Sequence, residues 1–294
     1  MNTRWLVNPE DDRLRAGWRI LLFMLLIIGL AVAAMTGTRA ILGGLPKTSN
    51  IIFVLLAIVA TVAVFVARRW LDKKSFVSLG FGNPRNAWKD VMFGFFLSGV
   101  MAATVFGVMW QFDLIGDVQI SAPDAAAVGT LTMLLLVTVL IGYWEELFFR
   151  GYLFQNMVEG LGLRPAVIVS CLLYGAAHAA NPNAGITSTV IIVLFGYLRL
   201  YGYLATGLLW LSIGMHIGWN FFQGPVFGYA ASGQTDIASL LTHQPSSANW
   251  LSGGKFGPEA SVITIPVVLL ALLAMRFWAA SRLSAACSQP RQPY

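Results

Sequence analysis

Strongly polar side chains recur at helical spacing in three otherwise apolar stretches of this chain. Glutamate and histidine can activate a water as general bases, and imidazole and amide N–H groups can stabilise an oxyanion. The residues concerned are Glu145 and Glu146 with Arg150, Tyr174 with His178, and His216 with Asn220. Each group alone also occurs as a structural ion pair or an interhelical hydrogen bond. The presence of all three groups in one chain is what favours a single reactive site.

The first stretch separates its two carboxylates. Residues four apart share a helix face, so Glu146 is placed to form an ion pair with Arg150. Glu145 points about 100° away from Glu146, because a helix has 3.6 residues per turn. We therefore expect one neutralised and one unpaired carboxylate, and the unpaired Glu145 is the candidate general base.

The composition excludes most soluble proteins. Of the 294 residues, 57% are hydrophobic and only 11% are charged, whereas a soluble domain has roughly 25% charged residues. The mean hydropathy of +0.71 is typical of an integral membrane protein, whose main partner is lipid. The net charge of +6 does not indicate nucleic-acid binding, because the basic residues lie between apolar segments, as the positive-inside rule describes.

Eight apolar segments approach the roughly 20 residues that a helix needs to cross a bilayer. They predict an all-α, polytopic transmembrane helical bundle with both termini in the cytoplasm, since this orientation places most of the 19 Lys and Arg residues on one side. The fifth and sixth segments are short or carry polar groups, so seven spans stay an alternative. The predicted spans are Trp18–Met35, Asn50–Ala67, Val91–Trp110, Ala126–Tyr143, Pro165–Ala179, Ile186–Tyr201, Leu204–Phe222 and Ser261–Trp278.

The absence of an internal repeat predicts a single domain over residues 1–294, with its catalytic core at about 126–222. Residues 223–260, rich in Gly, Pro and Ser, form the one long external loop, which we expect its aromatic residues to order in part. The basic loop at 68–89 is interpreted as a cytoplasmic loop at the membrane surface. The second interpretation is that this loop binds anionic lipid or substrate.

The three polar stretches resemble the motifs of the CPBP family of intramembrane endopeptidases, also called the Abi or CAAX-protease-and-bacteriocin-processing family. The family pattern is Glu-Glu-x-x-x-Arg, Phe-x-x-x-His and His-x-x-x-Asn/Asp, each on its own transmembrane helix. The chain departs from it only at Tyr174, which keeps the ring where the family has phenylalanine. Residues 13–19 and 253–259 also resemble segments of the family. In this resemblance Glu146 and Arg150 hold the first helix in place.

The resemblance implies roles for the other polar residues. Glu145 and His178 would activate a water for attack on a peptide carbonyl, while His216 and Asn220 would stabilise the oxyanion. The family has also been classed as metalloproteases, in which Glu145, His178 and His216 would bind zinc. Asn220 is a poor zinc ligand but a good oxyanion donor, which favours catalysis without a cofactor. The sequence leaves both mechanisms open.

The charge asymmetry and the resemblance together predict a cavity that opens to the cytoplasm or inner leaflet of a bacterial cytoplasmic membrane. The substrate would be a peptide or a membrane-anchored protein, cut near its C-terminus or close to the membrane. Eukaryotic relatives cleave prenylated CAAX proteins, whereas peptide maturation, bacteriocin immunity and membrane-protein processing are open for a bacterial type. The alternative is a non-enzymatic membrane scaffold or bacteriocin-immunity protein with the same fold. A transporter is disfavoured, because the chain shows no inverted repeat.

Overall fold

The computed structural model describes residues 5–44, 49–82, 84–121 and 125–287. Helices make up most of these residues, and no closed sheet is present among them. The helices are α1 Ala16–Leu42, α2 Ser49–Val66, α3 Pro84–Gln111, α4 Ala125–Glu146, α5 Phe154–Leu161, α6 Leu163–His178, α7 Ile186–Thr206, α8 Trp210–Phe221, α9 Asn249–Ser252 and α10 Thr264–Cys287. The strands are short: β1 Val7–Asn8, β2 Arg13–Leu14, β3 Ile115–Ile120 and β4 Leu241–Pro245. The predicted all-α polytopic bundle is confirmed.

The outer faces of the long helices are apolar. The helical runs that contain α1, α2, α3, α4, α7 and α10 are long and apolar enough to cross a membrane. A helix satisfies its backbone groups internally, which lipid requires. Large apolar side chains point outward, including Leu25 at 59% exposed, Val100 at 63% and Phe277 at 74%. The chain is therefore an integral membrane protein whose exterior is suited to lipid.

Two of the eight predicted spans are shorter than a full crossing. Helix α6 has 16 residues and α8 has 12, and α8 is buried from Leu211 to Trp219, as expected of a core helix. The predicted start of the seventh span at Leu204 is wrong, because α7 continues to Thr206 and stops at Gly207, whose φ of 69° is left-handed. The sixth predicted span, Ile186–Tyr201, lies within α7. This helix has 21 residues and is therefore not short.

Helix α4 does not end where the sequence predicts. The predicted span stops at Tyr143, but the helical run continues through a π-helical segment, Leu147–Leu153, into α5 and reaches 37 residues. At 1.5 Å per residue such a run is roughly 55 Å long, whereas the hydrocarbon core is only about 30 Å thick. Glu145 and Glu146 lie inside this run, about 30 Å from its first residue, Ala125.

The predicted external loop at 223–260 is ordered by a small antiparallel sheet. Strand β4 pairs with β3 across a register shift, which ties the loop to the chain that follows α3. The ring of His243 in β4 lies 4.4 Å from that of Tyr229 and 6.0 Å from that of Phe106. Aromatic contacts thus help to order this part of the chain.

Helix α8 lies at the centre of the bundle, between α3 and α4. Glycines four apart allow close approach of membrane helices. A Cβ atom added at Gly214 would lie 2.3 Å from the Val91 carbonyl oxygen, and one at Gly218 would lie 2.4 Å from the Phe95 carbonyl oxygen. On the other side of α8, a Cβ at Gly142 of α4 would lie 2.8 Å from an α8 side chain. These glycines set how deeply α8 is inserted.

A buried ion cluster joins α1, the end of α2 and α5. Asp72 is fully buried, and Nη1 atoms of Arg19 and Arg68 each lie 2.8 Å from its carboxylate. Asn156 donates to the same carboxylate at 3.3 Å, and the Tyr152 hydroxyl lies 3.5 Å from it. Two cations and two neutral donors compensate one carboxylate, so the cluster holds three separate elements together.

Candidate active site

Glu145 lies where α4, α6 and α8 meet. Its Oε2 atom accepts a hydrogen bond from the Tyr174 hydroxyl at 3.2 Å. The Nε2 atoms of His178 and His216 lie 3.9 Å and 3.7 Å from the same oxygen. Three helices therefore bring one carboxylate and two imidazoles to a single point.

Both histidines present a free ring nitrogen to Glu145. Nδ1 of His178 lies 2.9 Å from the carbonyl oxygen of Tyr174, and Nδ1 of His216 lies 2.8 Å from Oε1 of Glu146. Carbonyl and carboxylate oxygens only accept, so each Nδ1 carries a proton and donates it. In the neutral imidazoles each Nε2 then offers a lone pair on the side of Glu145. Three proton acceptors converge, and a water can donate to two of them.

Glu146 and Arg150 form a buried ion pair behind this cluster. Nη1 of Arg150 lies 3.1 Å from Oε1 of Glu146, and neither side chain is more than 1% exposed. Nη2 of Arg150 donates to the carbonyl oxygen of Gly196 at 3.0 Å, which links the α4 run to α7. The arginine thus neutralises a carboxylate that also orients His216.

Exposure separates the groups that can meet a substrate from those behind them. The side chains of Glu145 and His178 are 12% and 13% exposed, whereas that of His216 is 2% exposed. Water and substrate can therefore reach the cluster from the side of Glu145 and His178. A recess of about 350 Å³ begins at the residue after His178, lined by Ala179, Ala184, Gly185, Ile186, Thr189 and Val190.

The loop that follows His178 is fixed by the ordered segment before α10. Asn181 and Asn183 donate to backbone carbonyls of residues 232 and 233 at 3.0 Å and 3.2 Å. Glu259, 1% exposed, accepts hydrogen bonds from Ser232 at 2.5 Å and from Trp219 of α8 at 2.9 Å. The ends of α6 and α8 are therefore held relative to each other.

Arg199 is a site residue that the sequence analysis did not single out. It lies in the middle of α7, is 2% exposed, and its Nη1 donates to the hydroxyl of Tyr174. The signal was present in the sequence, since an arginine within an apolar span costs about 2.5–3.5 kcal/mol on insertion scales and requires a partner. Arg199 lies close to the end of the predicted span Ile186–Tyr201, where an arginine resembles a residue of the loop that follows.

Asn220 lies on α8 one turn after His216 and is half-buried. Gln223 donates to its Oδ1 atom at 3.5 Å. Within the described residues no hydrogen bond joins Asn220 to Glu145 or to a histidine. Asn220 is therefore related to the cluster through its place on the helix that carries His216, one turn further on.

The three residues that could bind zinc are Glu145, His178 and His216. Zinc ligands lie about 2.0–2.2 Å from the ion and surround it tetrahedrally. Across the described ranges, no group of three or more His, Cys, Asp or Glu side chains is arranged to hold a metal ion. The described arrangement is therefore not that of an assembled zinc site, and Glu145, His178 and His216 are the residues that would hold the ion.

Residues 127–222 match the family model described as Type II CAAX prenyl endopeptidase Rce1-like. The matched region is roughly a third of the chain, and it contains every site residue described above from Glu145 to Asn220. The match confirms the resemblance predicted from the three motifs and supports an intramembrane CAAX-type protease in general.

A protein of Bacillus subtilis (strain 168), described as "Uncharacterized protein YyaK", is 25% identical to this chain over 194 residues. The aligned part covers 64% of this chain and 64% of the length of that relative. The similarity is consistent with the same family.

Proposed function

We propose that this chain, whose residues 127–222 are of the Rce1-like CAAX endopeptidase type, is an intramembrane peptidase that uses a water activated by Glu145 and His178. The observation that carries the proposal is the convergence of three acceptors. Nε2 of His178 and Nε2 of His216 both lie within 3.9 Å of Oε2 of Glu145. Such a set of acceptors favours the binding of a molecule that can donate hydrogen bonds to them, and water is the smallest such molecule.

The bound water is oriented and activated by these acceptors. It donates one proton toward Glu145 and the other toward Nε2 of His178, so a lone pair is left for a peptide carbonyl on the exposed side. As the new C–O bond forms, Glu145 takes the proton and the carbonyl π electrons move to the oxygen. General-base catalysis of this kind contributes about 10²–10⁴-fold to the rate.

The oxyanion that results requires hydrogen-bond donors. Asn220 offers its amide N–H groups, and His216 offers Nε2–H after it takes from Glu145 the proton that came from the water, a state that its bond to Glu146 stabilises. The intermediate collapses when this proton passes back through Glu145 to the amine nitrogen and the C–N bond breaks. Protons and electrons balance without a cofactor.

The mechanism contains no metal step, and this can be tested directly. Cleavage by the purified protein is expected to be unchanged after incubation with a strong chelator. A loss of cleavage that added Zn²⁺ restores would contradict the mechanism and assign Glu145, His178 and His216 to a metal instead.

The surroundings of His178 favour a substrate with an apolar or lipid-bearing residue near the scissile bond. Ile186 and Val190 at the start of α7 line the adjoining recess and are 87% and 61% exposed. We place the protein in a bacterial cytoplasmic membrane and infer a peptide or membrane-anchored protein substrate, cut close to the membrane.

The experiment uses purified protein in liposomes and two internally quenched peptides that differ only in a farnesyl group on a cysteine near the C-terminus. The wild type is expected to cleave at least one of them, and Glu145→Gln and His178→Ala to lower kcat by about 10²-fold or more. Asp236→Asn, at an exposed carboxylate outside the site, is the control and should cleave normally. Cleavage retained by both site variants would contradict the assigned roles. No cleavage by the wild type, with a biological phenotype that Glu145→Gln leaves intact, would favour the non-enzymatic scaffold.

A further inference from the structure

A buried positive charge is linked to Glu145 through Tyr174, and the mechanism above does not use it. Nη1 of Arg199 in α7 donates to the Tyr174 hydroxyl in α6. The same hydroxyl lies 3.2 Å from Oε2 of Glu145 in α4. Side chains from three helices thus form one continuous chain of hydrogen bonds.

The direction of this chain follows from the chemistry of its members. A guanidinium has donors only, so the Tyr174 oxygen accepts the hydrogen bond from Arg199. The phenol proton is then available for the acceptor on the other side, which is Glu145. Hydrogen bonds in a chain polarise one another, so this phenol is a stronger donor to Glu145 than a phenol alone.

Charge balance gives an independent reason for the link. Arg150 compensates Glu146, whereas the ion-pair contacts of Glu145 are the two histidines, which are neutral in the state derived above. Arg199 takes part in no ion pair within the described ranges, although it is almost completely buried. A buried charge without compensation is costly. Arg199 interacts electrostatically with Glu145, Glu146 and the buried Glu259, and its hydrogen bond to the Tyr174 hydroxyl links its charge to Glu145.

The Tyr174 ring is held so that its hydroxyl keeps this position. Cζ of Arg150 lies 4.3 Å from the ring centre, and the Phe149 ring meets it edge-on at 4.9 Å. The residue is only 1% exposed, so the ring has little room to turn. A phenylalanine would occupy the same volume but would give Glu145 no donor.

We infer that Tyr174 and Arg199 are positioning residues that hold the Glu145 carboxylate against the two histidines by a relayed hydrogen bond. The inference rests on the proposed function of Glu145 as the base. Because the two residues act on the orientation of a reacting group, their loss should lower turnover and leave substrate binding almost unchanged.

The kinetic test compares Tyr174→Phe, Arg199→Met and Arg199→Lys in liposomes, on the quenched peptide that the wild type cleaves. The matched control is Tyr152→Phe, which removes another buried hydroxyl, 3.5 Å from the Asp72 carboxylate. Tyr174→Phe and Arg199→Met should lower kcat about 10- to 100-fold, the scale of a misplaced reacting group, with little change in KM. Arg199→Lys should recover most of the lost kcat, and Tyr152→Phe should keep the wild-type value.

The double variant separates a relay from two independent effects. If Arg199 acts through Tyr174, adding Arg199→Met to Tyr174→Phe should cause no further loss of kcat. Additive losses, a wild-type kcat in Tyr174→Phe, or an equal loss in the Tyr152→Phe control would each overturn the inference.

An infrared measurement tests the hydrogen-bond chain without turnover. With ring-deuterated tyrosine, the spectrum of the wild type minus that of Tyr174→Phe isolates the phenol band of Tyr174. This band should shift in Arg199→Met and in Glu145→Ala and stay in place in Asp236→Asn. An unshifted phenol band in Arg199→Met or in Glu145→Ala would overturn the inferred chain of hydrogen bonds. Full cleavage by Glu145→Gln would instead overturn the proposed function, so the two failures are distinguishable.

Discussion

Nδ1 of His216 lies 2.8 Å from Oε1 of Glu146. This contact links the first motif, which contains Glu146, to the third motif, which contains His216. The resemblance implies that Glu146, together with Arg150, holds its helix in place. In the structure the same carboxylate also fixes the ring of His216, so that Nε2 lies 3.7 Å from Glu145. In the proposed mechanism the second glutamate of the pair therefore positions His216 relative to Glu145.

Replacing Glu146 by glutamine should therefore lower kcat by about 10²-fold or more, the size of a general acid–base contribution. An amide can present its NH₂ group to Nδ1, which would favour the wrong tautomer of His216, and it cannot compensate an imidazolium. The measurement is kcat on the quenched peptide, with the unfolding temperature recorded to confirm a folded protein. A folded Glu146→Gln with the wild-type kcat would contradict this role.

Substituting Gly218 by alanine should lower both the unfolding temperature and kcat. The added Cβ would lie 2.4 Å from the Phe95 carbonyl oxygen, so α8 must move away from α3 and take His216 with it. Gly107→Ala in α3 is the matched control, because a Cβ there meets nothing within 4 Å. It should keep or raise the unfolding temperature, since alanine favours a helix over glycine by up to about 1 kcal/mol. Equal unfolding temperatures for the two variants would contradict the close packing of α8 on α3.

Asp72→Ala should be strongly destabilising while it leaves the site chemistry intact. It would leave Arg68 buried without a carboxylate and Arg19 with Glu159 alone, and breaking a buried ion pair costs about 3–5 kcal/mol. Thermal unfolding in detergent measures the loss, and kcat per folded molecule should be unchanged. In comparison, Asp11→Asn, which removes the partly exposed ion pair with Arg13, should hardly shift the unfolding temperature. Similar shifts for the two variants would contradict the role of the Asp72 cluster.

Acidification should destabilise the ordered segment that contains β4. Burial lowers the pKa of His243 below its ordinary value. The unfolded chain takes up a proton near pH 6.5, and the folded protein does so only at lower pH. Above about pH 6.5 His243 is neutral in both states and does not lower the free energy of unfolding. As the pH falls below that value, protonation of His243 in the unfolded chain lowers the free energy of unfolding.

The variant His243→Phe keeps a ring against Tyr229 and Phe106 and cannot titrate. Unfolding temperatures of the wild type and the variant are compared near neutral pH and near pH 5. The wild type should lose more stability on acidification than His243→Phe. Parallel pH dependences would show that His243 is equally easy to protonate in the folded and unfolded states.

The sequence allowed prediction of what local spacing determines. Four-residue spacing indicated the Glu146–Arg150 ion pair, which the structure contains, and the low charge indicated the membrane bundle. The bond between His216 and Glu146 joins residues 70 apart in the chain, so it depends on helix packing that no local pattern encodes. Arg199 was missed for a different reason, because an arginine near the end of an apolar stretch resembles a loop residue until the helix is seen to continue to Thr206.

Helix ends were the least predictable feature of the fold. The α4 run passes Tyr143 because a π-helical segment carries polar and apolar residues into α5 without a break. Helix α8 is as apolar as a span, but apolarity alone does not distinguish a helix covered by protein from one covered by lipid. Its 12 residues lie in the core because glycines let α3 and α4 close around it.

In the proposed mechanism Glu145 and His178 activate a water for peptide hydrolysis. The most direct measurement is the rate of cleavage of the matched quenched peptides by the wild type, Glu145→Gln and His178→Ala in liposomes. We expect cleavage by the wild type and a loss of about 10²-fold or more in the rate of each folded variant. Cleavage at the wild-type rate by either folded variant would contradict this mechanism.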